Sequence, residues 1–465
     1  MDSCLFCEGD GSDETFWVQC EVCPQWAHVN CIPLESISSQ RRPRKAAEIS
    51  QFSCNKHGKT LLVLRDNVSH KRSPKDSGVD KPDAKRRGLR RKKEVDYIAL
   101  NDGGEKRLKT EHPHVSAFLK CFDQWENTSN VMDATDFETN FNSIAIPIKI
   151  NDPENSGMKV PDLGTLTQSD HGTARPEFSV EGLTEVLGPD YSIDVMDVQS
   201  QENSRWPMRE WNDYFTNTSA ERRDRIRNVI SLEVSHIDGF KTGIRRPKAV
   251  DNNDLVSKVW HEIDDETEPP KVTKYILMSV ANAYTDFHLD FAGTSVYYNI
   301  ISGAKKFILF PPTEHNLQKY CDWCQSDHQN LIFLGDQLEK GIAMDLRSSD
   351  LFMIPSGYIH AVYTPVDSLI IGGNFLTVRD ILTQLRVVEI ERLTKVPKRF
   401  TFPNFDAVMG KTCEYLVNSS NRDIVSKPQI LALLRYMRDP KVKYKPVKSS
   451  RKRDLIDALE KQILG

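Results

Sequence analysis

The chain of 465 residues has 28% charged residues, a net charge of −4 and no apolar run of about 18 residues. No membrane-spanning helix is therefore expected, and there is length for roughly two to four domains. The first residues, Met-Asp-Ser-Cys, offer neither a basic segment nor an apolar stretch, so no secretory signal is expected, and the ten cysteines are read as ligands or core residues and not as disulfides.

Residues 1–60 hold six of those cysteines, and residues 1–40 carry seven acids (Asp2, Glu8, Asp10, Asp13, Glu14, Glu21 and Glu35) without one Lys or Arg. Candidate ligands come in pairs separated by two residues: Cys4 and Cys7, Cys20 and Cys23, His28 and Cys31, Cys54 and His57. Four pairs of thiolate and imidazole donors make two tetrahedral zinc sites. A segment this short has too little core to fold alone, so the metal supplies folding energy. With histidine in fifth place, the order resembles a PHD finger. That resemblance implies interleaved pairing, with Cys4, Cys7, His28 and Cys31 on one zinc and Cys20, Cys23, Cys54 and His57 on the other. His57 stands where the family usually has cysteine. The resemblance also implies binding of the histone H3 tail, with Trp17 and Trp26 as candidate walls of a cage holding methylated lysine by cation–π attraction. The alternative is that Trp26 only covers the zinc core.

Residues 61–114 are rich in Lys, Arg, Asp, Ser and Gly and read as a basic flexible linker. Within it, Lys85–Lys93 is basic at seven of nine positions, the pattern of a nuclear localisation signal or of a contact with the DNA backbone; a solvated linker is the plain alternative. An acidic head before a basic tether suits partners of both charge signs, as in chromatin. Residues 115–205 form an N-terminal scaffold, with a strand expected over Ile144–Ile150 and a helix over Val180–Leu187. In residues 206–380, a helix or helix pair is expected over 207–227. From 274 to 375, β-branched and aromatic runs broken by Gly and Pro predict an antiparallel barrel or sandwich. Residues 381–465 read as a helical region, with helices over Ile381–Ile390 and between Gln429 and Leu464.

The chemistry concentrates in the β-rich region. In Thr285-Asp286-Phe287-His288-Leu289-Asp290, His288 and Asp290 are two residues apart and would share one face of a strand. A distant histidine, His360 in Pro355-Ser-Gly-Tyr-Ile-His360, completes a set of two histidines and one carboxylate that leaves iron(II) positions open for oxidant and co-substrate. Fifteen residues after Asp290 comes Lys305, beyond the strand break expected at Gly303. A buried ammonium there needs an anion, which a carboxylate of 2-oxoglutarate supplies, and Thr285 adds a hydroxyl bond to the same group.

At these residues the chain resembles JmjC-domain histone lysine demethylases of the lysine-demethylase-2 class, and most of all the fungal members with an N-terminal PHD finger. Tyr284 to Tyr298, Pro355 to Pro365, Asp194 to Val198, Asn228 to His236 and Gly372 to Leu376 carry the resemblance over roughly residues 160–405. It implies a multidomain α+β protein: a two-zinc PHD finger, a double-stranded β-helix (jelly-roll, cupin-like) JmjC domain with flanking helices, and a C-terminal helical region. It implies iron(II) on His288, Asp290 and His360, and 2-oxoglutarate on Thr285, Lys305 and Asn228, with Tyr298 lining the site. The implied reaction is N-methyl hydroxylation with formaldehyde release, on di- and monomethylated lysine 36 of histone H3, in the nucleus. Partners would be the methylated H3 tail and the nucleosome, with no membrane. Ala292, Tyr297 and Asn299 depart from the usual glycine, tryptophan and histidine. Those departures keep a non-catalytic chromatin scaffold in view, and the same oxidant acting on a carbon-bound hydrogen would make a protein hydroxylase. Cys321 and Cys324, near His315 and His328, can be drawn as a third zinc site but read better as loop or core.

Overall fold

The computed structural model describes residues 4–7, 17–20, 23, 25–37, 42–43, 49–57, 60–64, 112–125, 130–166, 178–200, 202–263, 267–418, 425–448 and 451–464. Most of the expected linker, including Lys85–Lys93, lies outside these residues. The chain forms two compact units, Met1–Arg91 and Lys92–Gly465.

The first unit is built from two short antiparallel pairs. Strand β1 (Trp17–Gln19) pairs with β2 (Trp26–His28), and β3 (Ile49–Ser53) with β4 (Leu61–Leu64). Val18, Ala27, Val29, Ile32, Ile37, Phe52, Leu62 and Leu64 form a small core together with buried Cys4, Cys20 and Cys54.

The second unit is an α+β body around one mixed, jelly-roll-like sheet of eleven strands among the described residues. Strands β5 (Val131–Met132) and β6 (Ile148–Ile150) form one edge and pair in parallel, unlike the rest. Strands β7 (Ser192–Asp197), β8 (Asn203–Pro207) and β9 (Arg227–Glu233) form the other edge. Between them lie β10 (Tyr275–Ser279), β11 (Tyr284–His288), β12 (Ser295–Phe310), β13 (Ile342–Arg347), β14 (Leu351–Ile354) and β15 (Ile359–Phe375). Strands β12 and β15 pair antiparallel from Ser295↔Phe375 to Phe310↔Ile359. Each is shared: β12 gives its first half to β14 and its second half to β13, while β15 takes β11 at its start and β10 at its end. Long strands shared in this way wrap the roll around an interior of Val296, Ile300, Phe307, Leu309, Met344, Leu346, Phe352, Ile354 and Ile370.

Several sequence expectations change in detail. The strand expected over Ile144–Ile150 is confined to Ile148–Ile150, because Pro147 has no N–H to give a ladder. The helix Val180–Leu187 appears as expected, opened by the Ser179 side chain accepting the Gly182 N–H and closed by Gly188 at φ 96°. The helical reading of 207–227 holds only over Met208–Asn217, an α turn that widens into a π turn, with a short 3-10 turn at Ala220–Arg222. The chain then folds back, because the Tyr214 hydroxyl donates to the Arg225 carbonyl and accepts the Arg227 N–H. Gly303 does not end a strand. It bends β12, at φ 85°, where a Cβ would lie 2.3 Å from the Asp367 carbonyl oxygen. A helix, Glu314–Gln325, interrupts the β region; Pro311-Pro312 end β12, and the Thr313 hydroxyl accepts the Asn316 N–H.

Beyond the roll, helices Leu255–Ile263, Ile381–Leu393, Phe405–Asn418, Lys427–Arg438 and Lys452–Leu464 pack around a second core of Trp260, Leu376, Val408, Leu433 and Leu459. No helix of the described residues is long and apolar enough to cross a membrane.

Candidate active site

Two paired strands, β11 and β15, bring His288, Asp290 and His360 together. His288 closes β11 and stands directly across from His360 on β15, with ring centroids 4.2 Å apart. Asp290 lies just past the strand in extended backbone, with Oδ2 3.8 Å from the His360 Nε2. One donor atom from each of the three side chains lies within 4.8 Å of the other two.

The hydrogen bonds set which atoms point inward. His288 Nδ1 donates to the Asp286 carbonyl at 2.8 Å, and His360 Nδ1 donates to the Tyr358 carbonyl at 3.1 Å. Each ring is thereby fixed as the tautomer whose Nε2 lone pair is free for a metal. The His360 Nε2 is buried with no hydrogen-bond partner. Burial, with the neighbouring His288, holds the His360 pKa well below the ordinary histidine value, while burial raises that of Asp290. A buried imidazole lone pair facing a half-buried carboxylate is an arrangement a divalent cation relieves. The donor set therefore fits iron(II).

Asn374 on β15 orients the carboxylate: its Nδ2 donates to Asp290 Oδ1 at 3.3 Å and to Thr294 Oγ1 at 2.8 Å. Sequence reasoning passed over this role, although Gly372-Gly-Asn inside an apolar strand was a visible irregularity.

Lys305 is buried, and its Nζ donates to Thr364 Oγ1 across the β12–β15 ladder at 2.7 Å. Burial pushes its pKa down to about 7. Thr285 pairs with Val362, two residues along β15 from His360. Opposed residues on an antiparallel pair share a face, so Thr285 and His288 face the same side although three positions apart. The β-bulge between them makes this possible. The register shifts of β12 between Ile300 and Lys306 do the same for Tyr298 and Lys305. Tyr298 is within electrostatic reach of Asp290 and has its hydroxyl pKa raised by burial and by that charge. Asn228 is buried on β9 and accepts the Ser279 hydroxyl at 2.6 Å.

In the finger, the donor atoms of Cys4, Cys7, His28 and Cys31 lie within 4.8 Å of one another, as do those of Cys20, Cys23 and Cys54. His28 turns Nδ1 toward the Cys7 and Cys31 sulfurs at 3.3 and 3.7 Å, and the Cys23 and Cys54 sulfurs are 3.6 Å apart without a bond. The first group fits tetrahedral zinc, and the second supplies three of the four donors such a site takes. The side chain of His57 lies outside the described residues. Trp17 packs on the His28 ring with centroids 3.8 Å apart, and Trp17, Trp26 and His28 share one face of the β1–β2 pair. Cys321 and Cys324 sit on one helix, Cys321 buried, and among the described residues no further ligand joins them.

Comparison with known proteins bears on both units. Residues 3–58 match the family described as "JHD1, PHD-type zinc finger", and residues 406–462 match "JHD1, C-terminal domain". The chain is 52% identical to JmjC domain-containing histone demethylation protein 1 of Kluyveromyces lactis, over 99% of this chain and 98% of the relative. It is 50% identical to the protein of that name in Saccharomyces cerevisiae, over 98% of each, and 49% identical to that of Candida glabrata, over 86% of this chain and 98% of the relative.

Proposed function

Since the chain belongs to the family of JmjC domain-containing histone demethylation protein 1, we propose that it is an iron(II)- and 2-oxoglutarate-dependent histone lysine demethylase acting in the nucleus. The observation that carries the proposal is the convergence of His288, Asp290 and His360, each ring held through Nδ1 by a backbone carbonyl so that Nε2 is left for the metal. These three side chains would hold iron(II), which with 2-oxoglutarate and dioxygen would supply the oxidant for N-methyl hydroxylation, giving succinate, carbon dioxide, formaldehyde and the demethylated amine. Lys305 pairs with a carboxylate of 2-oxoglutarate, Thr285 and Asn228 complete its polar contacts, and Tyr298 lines the site. Asn374 holds Asp290 at a fixed angle to the metal. The finer substrate reading is di- and monomethylated lysine 36 of histone H3.

The finger, with zinc on Cys4, Cys7, His28 and Cys31 and on Cys20, Cys23, Cys54 and His57, binds the H3 tail, with Trp26 and Trp17 presented to a methylated lysine. We divide the chain into a finger over 1–60, a linker over 61–114 whose Lys85–Lys93 run meets nucleosomal DNA, a scaffold over 115–205, the JmjC domain over 206–380 and a helical region over 381–465. Mass spectrometry of methylated H3 peptides, incubated with the chain, iron(II), ascorbate and 2-oxoglutarate, tests the reading. Stepwise loss of methylene mass, absent with His288→Ala, is the expected result. Gain of one oxygen mass would instead mark a hydroxylase, and no change with any peptide would overturn the enzymatic reading.

A further inference from the structure

The carbonyl that aims His288 belongs to a residue whose own side chain is held from a distant part of the chain. Asp286 sits in the β-bulge of β11, where an inserted residue leaves backbone groups without ladder partners. Its Oδ1 takes the Phe287 N–H at 2.9 Å and the Tyr284 hydroxyl at 2.9 Å, and its Oδ2 meets His114 Nδ1 at 3.1 Å. His114 precedes the helix Val115–Gln124, 172 residues earlier, and its N–H donates to His112 Nδ1 at 3.2 Å. His112 lies against the Tyr284 ring at 4.8 Å, and His114 meets Phe333 edge-on. Both histidines are buried.

We infer that His112, His114 and Tyr284 form a clamp that pins the Asp286 bulge and so positions the iron ligand His288. The inference rests on the iron site proposed above. Its physical basis is that a hydrogen bond to the non-ligating nitrogen sets the orientation and basicity of a metal-bound imidazole. The Asp286 carbonyl can do so only while its bulge keeps one shape.

The same residues invite a second reading, since donor atoms of His112, His114 and Asp286 lie within 4.8 Å of one another. The hydrogen bonds argue against a metal there. His114 Nδ1 spends its proton on Asp286, and His112 Nδ1 already accepts an amide proton, which places its own proton on Nε2. Burial pushes the His112 pKa down to about 4, so its ring is neutral. Asp286 Oδ1 is already taken by two donors.

The test is manganese(II) binding, followed by electron paramagnetic resonance, on the full chain with its zinc sites filled. Thermal melting of each variant is recorded beside it. The parent is expected to bind one manganese that His288→Ala abolishes. His114→Ala is expected to weaken it about tenfold, and His114→Asn, whose amide nitrogen replaces Nδ1–H, to recover most of the loss. Tyr284→Phe keeps the ring packing, removes only the hydroxyl, and is expected to fall between parent and His114→Ala. Parent-like affinity in His114→Ala, or no recovery in His114→Asn, would overturn the clamp and leave the iron site standing. A third zinc per chain that His114→Ala loses would overturn it in favour of a metal site. A parent with no manganese binding that depends on His288 would overturn both readings.

Discussion

In the finger, three of the eleven most buried apolar-type side chains are the cysteines Cys4, Cys20 and Cys54. In the oxygenase unit, the proposed iron ligands lie on or just past strands whose packing rests on Trp211, Tyr284, Phe307, Phe310, Phe352 and Phe375, all fully buried and none of them among the proposed ligands. The two regions therefore stand in opposite relations to metal. The finger is too small to close its entropy deficit by burial, so its ligands are part of its core. The roll folds around its own apolar interior and holds ready a site that is unfavourable until filled. Metal removal should separate the two. Structural zinc carries about 10–16 kcal/mol of apparent binding energy in small modules, so Cys20→Ser is expected to unfold the finger and leave the melting transition of the oxygenase unit in place. Limited proteolysis with calorimetry reads both; a finger that stays protected would break the comparison.

The converse holds at Asp290. Asp290→Asn preserves shape, removes a ligand charge and relieves a carboxylate that burial disfavours. Product formation is expected to fall to background while the metal-free chain melts no lower than the parent. A lower melting temperature would mean that Asp290 holds the roll together. Asn374→Ala, which frees the carboxylate to turn and also removes the bond to Thr294 Oγ1, is expected to cost about 10–100-fold in metal affinity, measured by the same manganese titration.

How much of this was legible in the sequence follows the same division. Ligands close in sequence, such as Cys4 with Cys7 or His288 with Asp290, can be read because short spacing alone limits their geometry. His360 and Lys305 needed the resemblance or a guess about strand faces. Simple alternation puts Thr285 opposite His288 and Tyr298 opposite Lys305; only the bulges bring each pair to one face, and a bulge is a matter of register between strands far apart in the chain. His112 and His114 left no signal, because nothing in their own neighbourhood refers to Asp286. The helix read over 207–227 failed past Asn217 for a similar reason: Tyr214 is tied to backbone that the pattern cannot see.

Lys305 sharpens the comparison through pH. With its pKa depressed to about 7 from the ordinary 10.5, the unfolded chain binds more protons than the folded one between those values. The cost of burying Lys305 is therefore full below pH 7 and shrinks as pH rises toward 10.5. Binding a carboxylate restores the ammonium and takes up a proton above pH 7. The KM for 2-oxoglutarate is expected to be flat below pH 7 and to rise by up to about tenfold per pH unit above it. Lys305→Arg, which stays charged, should remove that dependence even where it weakens binding. A KM unchanged from pH 7 to 8.5 in the parent would show that Lys305 is already charged before the co-substrate arrives.

The smallest effect lies where ligand loop and helical region meet. Ala292, two residues after Asp290, has φ 51° and ψ 23°, and its side chain is fully buried. That left-handed conformation costs an L-residue about 1–2 kcal/mol and glycine almost nothing. The sequence resemblance places glycine here, and the backbone explains why. This chain keeps alanine and holds the turn from behind: Glu391 Oε1 accepts the Ala292 N–H at 2.7 Å, with the carboxyl pKa pushed up to about 7 by burial despite that bond. Ala292→Gly is expected to relieve the strain and raise stability by at most about 1 kcal/mol, since glycine gains freedom in the unfolded chain. Glu391→Gln, which keeps an acceptor, should cost little, and Glu391→Ala should weaken metal binding unless Ala292→Gly is added. Metal affinity in the double variant decides the matter: recovery shows that the glutamate serves to hold a strained alanine, and no recovery shows that it acts on the loop independently of that strain.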